Sequence, residues 1–301
     1  MFWHFYSFRK FQLVRVSYQL KFYLPRVCNN VTIRDNFAGR RVRMKYLYYP
    51  GCTLKTKAIE LDNYAKAAMV ALGIDFVEFD DWQCCGATYP LARDEIAPRL
   101  SAIRALDKAK QEGRALLSLC SACHNVLKRV NYDMAHDRDV CEKANNYLQL
   151  DEPYTGETRV VHFLEMLRDD VGFEALKSRV VNPLAGRKIA AYYGCLLLRP
   201  SKIMAFDNPD NPSVMEEFIR AIGAEPVVFS KRNECCGSHV AINDSRVNVD
   251  CCNKIISSAK NADSLVTVCP LCRYNLQTFT DSNTQILYLT ELLAIALGVK
   301  E

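Results

Sequence analysis

The sequence predicts an α/β protein made of two pseudo-symmetric repeats of parallel-type strand–helix units, each with a five-cysteine site at its strand C-terminal ends. Three observations lead there. Short β-rich runs alternate with segments of helical apolar spacing, in the same order in both halves. A five-cysteine pattern recurs: Cys52, Cys84-Cys85-Gly86 and Cys120-Ser-Ala-Cys123, then Cys195, Cys235-Cys236-Gly237 and Cys269-Pro-Leu-Cys272. Its internal gaps are 31 and 34 residues in the first copy and 39 and 32 in the second, and the copies lie 143 to 151 residues apart. Every motif cysteine also follows the end of a β-rich run, which is where open parallel sheets place their ligands.

In the first repeat, residues 45–49 read as a strand running into Gly51-Cys52. Residues 55–72 carry apolar side chains at helical spacing and stop at Gly73. Residues 74–79 form a second strand-like run before Cys84-Cys85-Gly86, and residues 91–112 a helix closed by Gly113. Residues 115–119 read as a buried strand ending at Cys120, with a helix from near Ser121. The second repeat matches, with strands at 188–193, 226–229 and 264–268 and helices near 213–222 and 246–261. Loop signals at 151–156 and 182–186 bracket residues 160–170, which read as a helix. The expected division is therefore an extension outside the fold at 1–43, a first domain at 44–155, a linker with a helix at 156–186 and a second domain at 187–301. The turn-rich loop 200–212 after Cys195 is much longer than its first-repeat counterpart. Substrate recognition is accordingly expected to concentrate at the second copy, with the two sites facing a shared cleft.

The net charge of +5 belongs to the N-terminus. Residues 1–43 contribute +8 and the remaining 258 residues −3, so the body has no basic balance that would suggest nucleic acid. Arg9, Lys10, Arg15 and Lys21 interrupt any apolar run near the start, against both a signal peptide and a membrane span. Residues 1–43 are expected to be a tail or a start-site artefact, with a surface-binding amphipathic segment as the alternative. Fourteen cysteines in 301 residues are many for an enzyme of a reducing compartment, where they read as metal ligands or redox groups.

Four thiolates suffice for a zinc site or a cubane iron–sulfur cluster, whereas each set here offers five. Structural zinc sites commonly pair two Cys-x2-Cys knuckles, and each repeat has one. Adjacent cysteines on a strand point to opposite faces, so both sulfurs of a pair reach one metal only from a turn. Gly86 and Gly237 supply the backbone freedom for it. Scattered disulfides would not demand the same gaps twice. Cys28, Cys141, Cys251 and Cys252 fall outside both sets and are expected to be ordinary thiols, the last two within a helix.

From residue 44 to the C-terminus, the doubled Cys-x31–39-Cys-Cys-Gly-x31–34-Cys-x2-Cys pattern with its Tyr-Tyr-(Pro)-Gly-Cys openings resembles the heterodisulfide reductase B-subunit family, proteins with duplicated cysteine-rich CCG domains. The resemblance implies that all five cysteines of each set ligate a non-cubane [4Fe–4S] cluster. It implies a cytoplasmic catalytic subunit reducing a disulfide to two thiols, such as the mixed disulfide of coenzyme M and coenzyme B. It also implies partners, a ferredoxin-like C-subunit and a flavin-containing A-subunit of the same complex; the sequence itself holds no Gly-x-Gly-x-x-Gly to bind flavin or nicotinamide. Two clusters beside one substrate would deliver one electron each. The alternative within the superfamily is an iron–sulfur electron-transfer subunit of a lactate, glycolate, glycerol 3-phosphate or succinate-type dehydrogenase. A structural metal-binding subunit is the non-enzymatic alternative.

Beyond the cysteines, Arg199 is a candidate to bind an anionic substrate group. His124 and His239, next to motif cysteines, are candidates to protonate product thiolates or to support the ligands. Asn125 and Asn275 are placed to hydrogen-bond the knuckle backbone or its sulfurs. His136 and His162 fall in helical patterns and are expected to do nothing chemical.

Overall fold

Strand β1 (Lys45–Tyr49) is buried at four of its five residues, as expected of a central parallel strand covered on both faces. The computed structural model describes residues 44–87, 94–240, 244–280 and 282–300; the expected extension 1–43, with Cys28, lies outside them. After β1 come α1 (Gly51–Thr56), α2 (Ile59–Leu72), β2 (Asp75–Glu78), α3 (Leu100–Gln111), β3 (Ala115–Ser118), α4 (Ser121–His136) and α5 (Arg138–Leu148). β4 (Val160–His162), α6 (Phe163–Met166), a π-helical turn at Leu167–Val171 and α7 (Phe173–Lys177) complete the first half. The second half runs β5 (Lys188–Tyr192), α8 (Ser201–Met204), α9 (Val214–Ala221), β6 (Glu225–Val227), α10 (Ser245–Ser258), β7 (Ser264–Thr267), α11 (Pro270–Thr278), β8 (Gln285–Tyr288) and α12 (Leu289–Ala296).

Among the described residues the strands form two four-stranded sheets, ordered β2-β1-β3-β4 and β6-β5-β7-β8. All pairs are parallel. The expected duplicated α/β frame is thus present, and each sheet has one strand more than the sequence pattern suggested. Residues 160–170, expected as a helix, begin instead as β4, with Val161 paired to Leu117. The β-branched Val160-Val161 pair suits the strand. His162 and Glu165 then start α6 with a reciprocal capping box. The helix expected over 55–72 is broken between α1 and α2 at Lys57-Ala58. The helix expected over 91–112 starts only at Leu100, after a 3₁₀ turn at Ala97–Arg99 that contains Pro98; Asp94 Oδ1 accepts the Ile96 and Ala97 N–H groups at its start. Residues 88–93 lie outside the described set.

The halves are interlocked rather than merely adjacent. Helix α12 of the second half packs on α2 of the first. Leu289, Leu292, Leu293 and Ala296 share one buried core with Leu61, Ala65, Ala68 and Met69. The Thr290 hydroxyl, fully buried, donates to the Leu61 carbonyl at 2.9 Å. Reciprocally, α7, which follows β4, packs on α9. Each sheet's last strand therefore leads into helices that cover the other repeat. No helix among the described residues is long and apolar enough to cross a membrane.

Candidate metal centre

Cys52 lies in the first turn of α1, just past β1, and Cys84-Cys85 follow β2. Cys120 is the N-cap of α4, with Cys123 in its first turn; Cys269 and Cys272 stand in the same places on α11. A helix N-terminus carries partial positive charge and unpaired N–H groups, which favour thiolate over thiol.

The sulfurs of each set lie close together. In the first, Cys84 Sγ is 4.0 Å from Cys52 Sγ, and Cys85 Sγ is 3.4 Å from Cys123 Sγ. In the second, Cys236 Sγ is 3.4 Å from Cys272 Sγ, and Cys195 interacts with Cys235. Within each knuckle the two thiols interact, and Cys120 and Cys269 interact with each other across the repeats. The ten thiols thus form one connected run. Its middle, Cys120 and Cys269, is buried, and Cys84 and Cys235 are exposed. The two sets adjoin at Cys120 and Cys269, both buried.

Hydrogen bonds along this run lower the pKa of some thiols and raise that of others. Hydrogen bonding with Cys123 and then with Cys84 holds the Cys85 thiol down at about 4. Cys235 is driven far below the usual thiol range by Cys195 and then Cys236, with help from the Gly237 N–H, 3.3 Å from its sulfur, and from the charge of His239. Cys269 is likewise held well down by Cys120 and Cys272. Among the described residues no three side chains converge on one point as ligands of a single ion. A run of paired sulfurs suits a polynuclear group better than zinc, whose four ligands all sit about 2.3 Å from one metal. The donor chemistry, all thiol and all free of disulfide bonds, fits iron–sulfur ligation.

The glycines of the motifs are geometric necessities. Gly86 and Gly237 adopt φ of +68° and +82°, which makes the turn expected after each cysteine pair. Less expected is the glycine before each first cysteine. Gly51 has φ +72°, and a Cβ there would sit 2.9 Å from Cys123 Sγ; at Gly194, with φ +67°, it would sit 3.3 Å from Cys272 Sγ.

Sequence reasoning also missed two tyrosines. Tyr49 and Tyr192, each three residues before the first cysteine of its set, donate their hydroxyls to the carbonyls of Gln83 and Glu234, each the residue before a cysteine pair. This lashes the pair's turn to the central strand, and the matched spacing was the signal that could have revealed it. Tyr49→Phe and Tyr192→Phe are each expected to lower the unfolding free energy by about 1 kcal/mol. Chemical denaturation checks this, and no shift in either variant would refute the lashing.

The other expected residues divide. Asn275 bonds a motif sulfur, though not one of its own knuckle: its Nδ2 donates to Cys236 Sγ at 3.4 Å. Asn125 differs: it reaches into the second repeat and donates to the carbonyls of Leu196 and Arg199, both at 2.8 Å. Arg199, expected to receive an anion, donates instead to Asn233 O and Pro209 O at 3.1 Å and lies 3.4 Å from Asp210 Oδ1. These bonds pin the long loop to the segment before Cys235. His239, half-buried, stands near Cys235. His124 is fully buried, neither ring nitrogen bonds to the protein, and burial, then His162 and Lys128, push its pKa well down.

His162 is the larger correction. It ends a strand rather than lying in a helix, is fully buried, and its ring centroid is 5.4 Å from that of His124. Burial lowers its pKa from 6.5 to about 4. Above pH 6.5 it is neutral in both folded and unfolded chains. Between 6.5 and 4 only the unfolded chain takes up the proton, so stability is lost as pH falls through that window. The loss from this group is expected to total about 3 kcal/mol. Denaturation of the metal-free protein at pH 7 and pH 4.5 measures it, and a His162→Gln variant with the same pH slope would refute it.

The sequence profile of a family described as a cysteine-rich domain, CCG, matches residues 46–128 and 189–277. A protein of Wolinella succinogenes named as the membrane anchor subunit of 8-methylmenaquinol:fumarate reductase is 32% identical over 270 residues, covering 86% of this chain and 94% of the relative. The B-subunit of a ferredoxin/F420H2-dependent CoB–CoM heterodisulfide reductase of Methanosarcina acetivorans is 26% identical, covering 84% and 89%. A protein of Archaeoglobus profundus described as like the heterodisulfide reductase B-subunit is 25% identical, covering 85% and 91%. In a crystal structure of a hypothetical protein from Helicobacter pylori, the same fold recurs with TM-score 0.66 at 14% identity, over 85% of this chain. This chain spans about half of that one, 49%.

Proposed function

Because this chain belongs to the cysteine-rich CCG domain family, we propose that it is the iron–sulfur subunit of a multi-subunit oxidoreductase. One cluster would be held by Cys52, Cys84, Cys85, Cys120 and Cys123, the other by Cys195, Cys235, Cys236, Cys269 and Cys272. The observation that carries this reading is the run of thiols buried at its middle and exposed near each end, at Cys84 and Cys235. Such a run offers partners one contact at the Cys84 end and another at the Cys235 end, with a protected passage between. Two clusters of the non-cubane type, suited to five thiols where a cubane takes four, would supply one-electron transfer at each set. The chain's own contribution is to offset the charge of the sulfurs with the N-termini of α4 and α11, to aim Asn275 and the Gly237 N–H at them, and to exclude water from the centre.

The complex we favour is a membrane-associated reductase of the quinol:fumarate type, with this chain relaying electrons between a quinol-oxidising and a flavin-containing partner. The Wolinella relative, matched along nearly its whole length, supports it. A second reading is disulfide reduction with a ferredoxin-like C-subunit and a flavin-containing A-subunit. The heterodisulfide reductase relatives support it, as does an imidazole, that of His239, near the exposed Cys235.

The purified complex separates them. Both readings expect about eight irons per chain with matching acid-labile sulfide; zinc without sulfide would end both. Fumarate reduction that disappears in Cys235→Ser, without turnover of the coenzyme M–coenzyme B disulfide, supports the relay. Disulfide turnover without fumarate reduction selects the second reading.

A further inference from the structure

His162 and Tyr288 hold the same register position in the two sheets. His162 pairs with Ser118 at the end of β4, and Tyr288 with Thr267 at the end of β8. Ser118 and Thr267 each stand two residues before a buried knuckle cysteine, Cys120 and Cys269. The residues between, Leu119 and Val268, turn their carbonyls toward the junction of the repeats. The Tyr288 hydroxyl lies 2.6 Å from Leu119 O and 3.2 Å from Val268 O, so one phenol spans both halves. His162 Nδ1 accepts the Leu164 N–H at 3.2 Å, which leaves the ring proton on Nε2. Nε2 then donates to Leu119 O at 3.1 Å. Ser121 Oγ completes the group by donating to Val268 O at 3.0 Å.

All these groups are buried: His162 is 0% exposed, and Tyr288, Ser121 and Leu119 are 1% exposed. Buried carbonyls brought to one place need donors, since leaving one unsatisfied costs about 1–3 kcal/mol. Each carbonyl directly precedes a motif cysteine, so whatever fixes the carbonyls fixes how closely Cys120 and Cys269 approach.

We propose that His162 and Tyr288 form a cross-repeat clasp that sets the spacing of Cys120 and Cys269, and with it the coupling between the two groups those sets hold. The clasp rests on the two-cluster reading above. Both residues act through the backbone and are positioning residues, not catalytic ones. Pulsed EPR and redox titration of the holo-complex test it, with Tyr288→Phe, His162→Phe and His162→Gln compared with wild type. Tyr288→Phe and His162→Phe should keep their iron, show altered spin–spin splitting between the sites and shifted midpoint potentials, and turn over about 10-fold more slowly. His162→Gln, which retains an N–H donor, should recover the wild-type splitting better than His162→Phe. Iron-replete Phe variants with unchanged splitting and potentials would overturn the clasp. Should they fail to fold, Ser121→Ala, which removes one bond to Val268 O, is read by the same criteria. Wild-type protein without two cluster signals would overturn the two-cluster reading and the clasp together, whereas two signals unmoved by the variants overturn the clasp alone.

Discussion

Gly51→Ala is expected to empty the first five-cysteine set while leaving all five thiols in the chain. A left-handed backbone at a residue with a side chain costs about 1–2 kcal/mol. The new methyl would also press on Cys123 Sγ at 2.9 Å. That sulfur cannot swing aside freely, because it sits in the first turn of α4 and is 3.4 Å from Cys85 Sγ. Gly194→Ala meets Cys272 Sγ at 3.3 Å, a contact that a few tenths of an ångström would relieve. Iron in Gly51→Ala should therefore fall to about half of the wild-type content, with Gly194→Ala losing less. Iron and sulfide analysis gives the comparison directly. Equal iron in all three proteins would show that the glycine cradle does not hold the ligands.

A chain cut in the exposed Ala185-Gly186 turn is expected to yield two fragments that fold only together. The second fragment would carry α12 with Leu289, Leu292 and Leu293 bared, and the first would bare Leu61 and Met69 of α2. Each such side chain is stabilised by roughly 1.5–3 kcal/mol on burial. Five of them match or exceed the net stability of a typical domain, about 5–15 kcal/mol. Expressed singly, each fragment should aggregate or lack native circular dichroism; expressed together, they should co-elute as one folded species. A native spectrum from either fragment alone would defeat the interlocked account.

The frame was legible in the sequence because its signals are local. A central parallel strand such as Lys45–Tyr49 is a continuous buried run, and the turn after Cys84-Cys85 announces itself by Gly86. Three-residue β4 carries too few residues to contrast with a helix, and only its pairing with β3 defines it. The break between α1 and α2 leaves the apolar spacing undisturbed, so periodicity passed over it. The two cysteine sets were legible from spacing, whereas the approach of Cys120 to Cys269 depends on packing between distant halves. The same holds for Asn125, whose partners Leu196 and Arg199 belong to the other half. Tyr49 and Tyr192 were readable from their matched positions, and their partners were not.

The exchange of helices between the repeats also decides where this protein can change over generations. Loops that end in open solvent can lengthen without touching the other half, as the exposed turn between Asp207 and Asn211 can. The turns from β4 into α6 and from β8 into α12 have no such freedom: Phe163 follows His162 directly, and Leu289 follows Tyr288. One inserted residue at either turn would rotate a helix by about 100° and carry its apolar face away from the opposite repeat. A duplication that began as two copies of one unit has thereby lost the option of separating into two proteins.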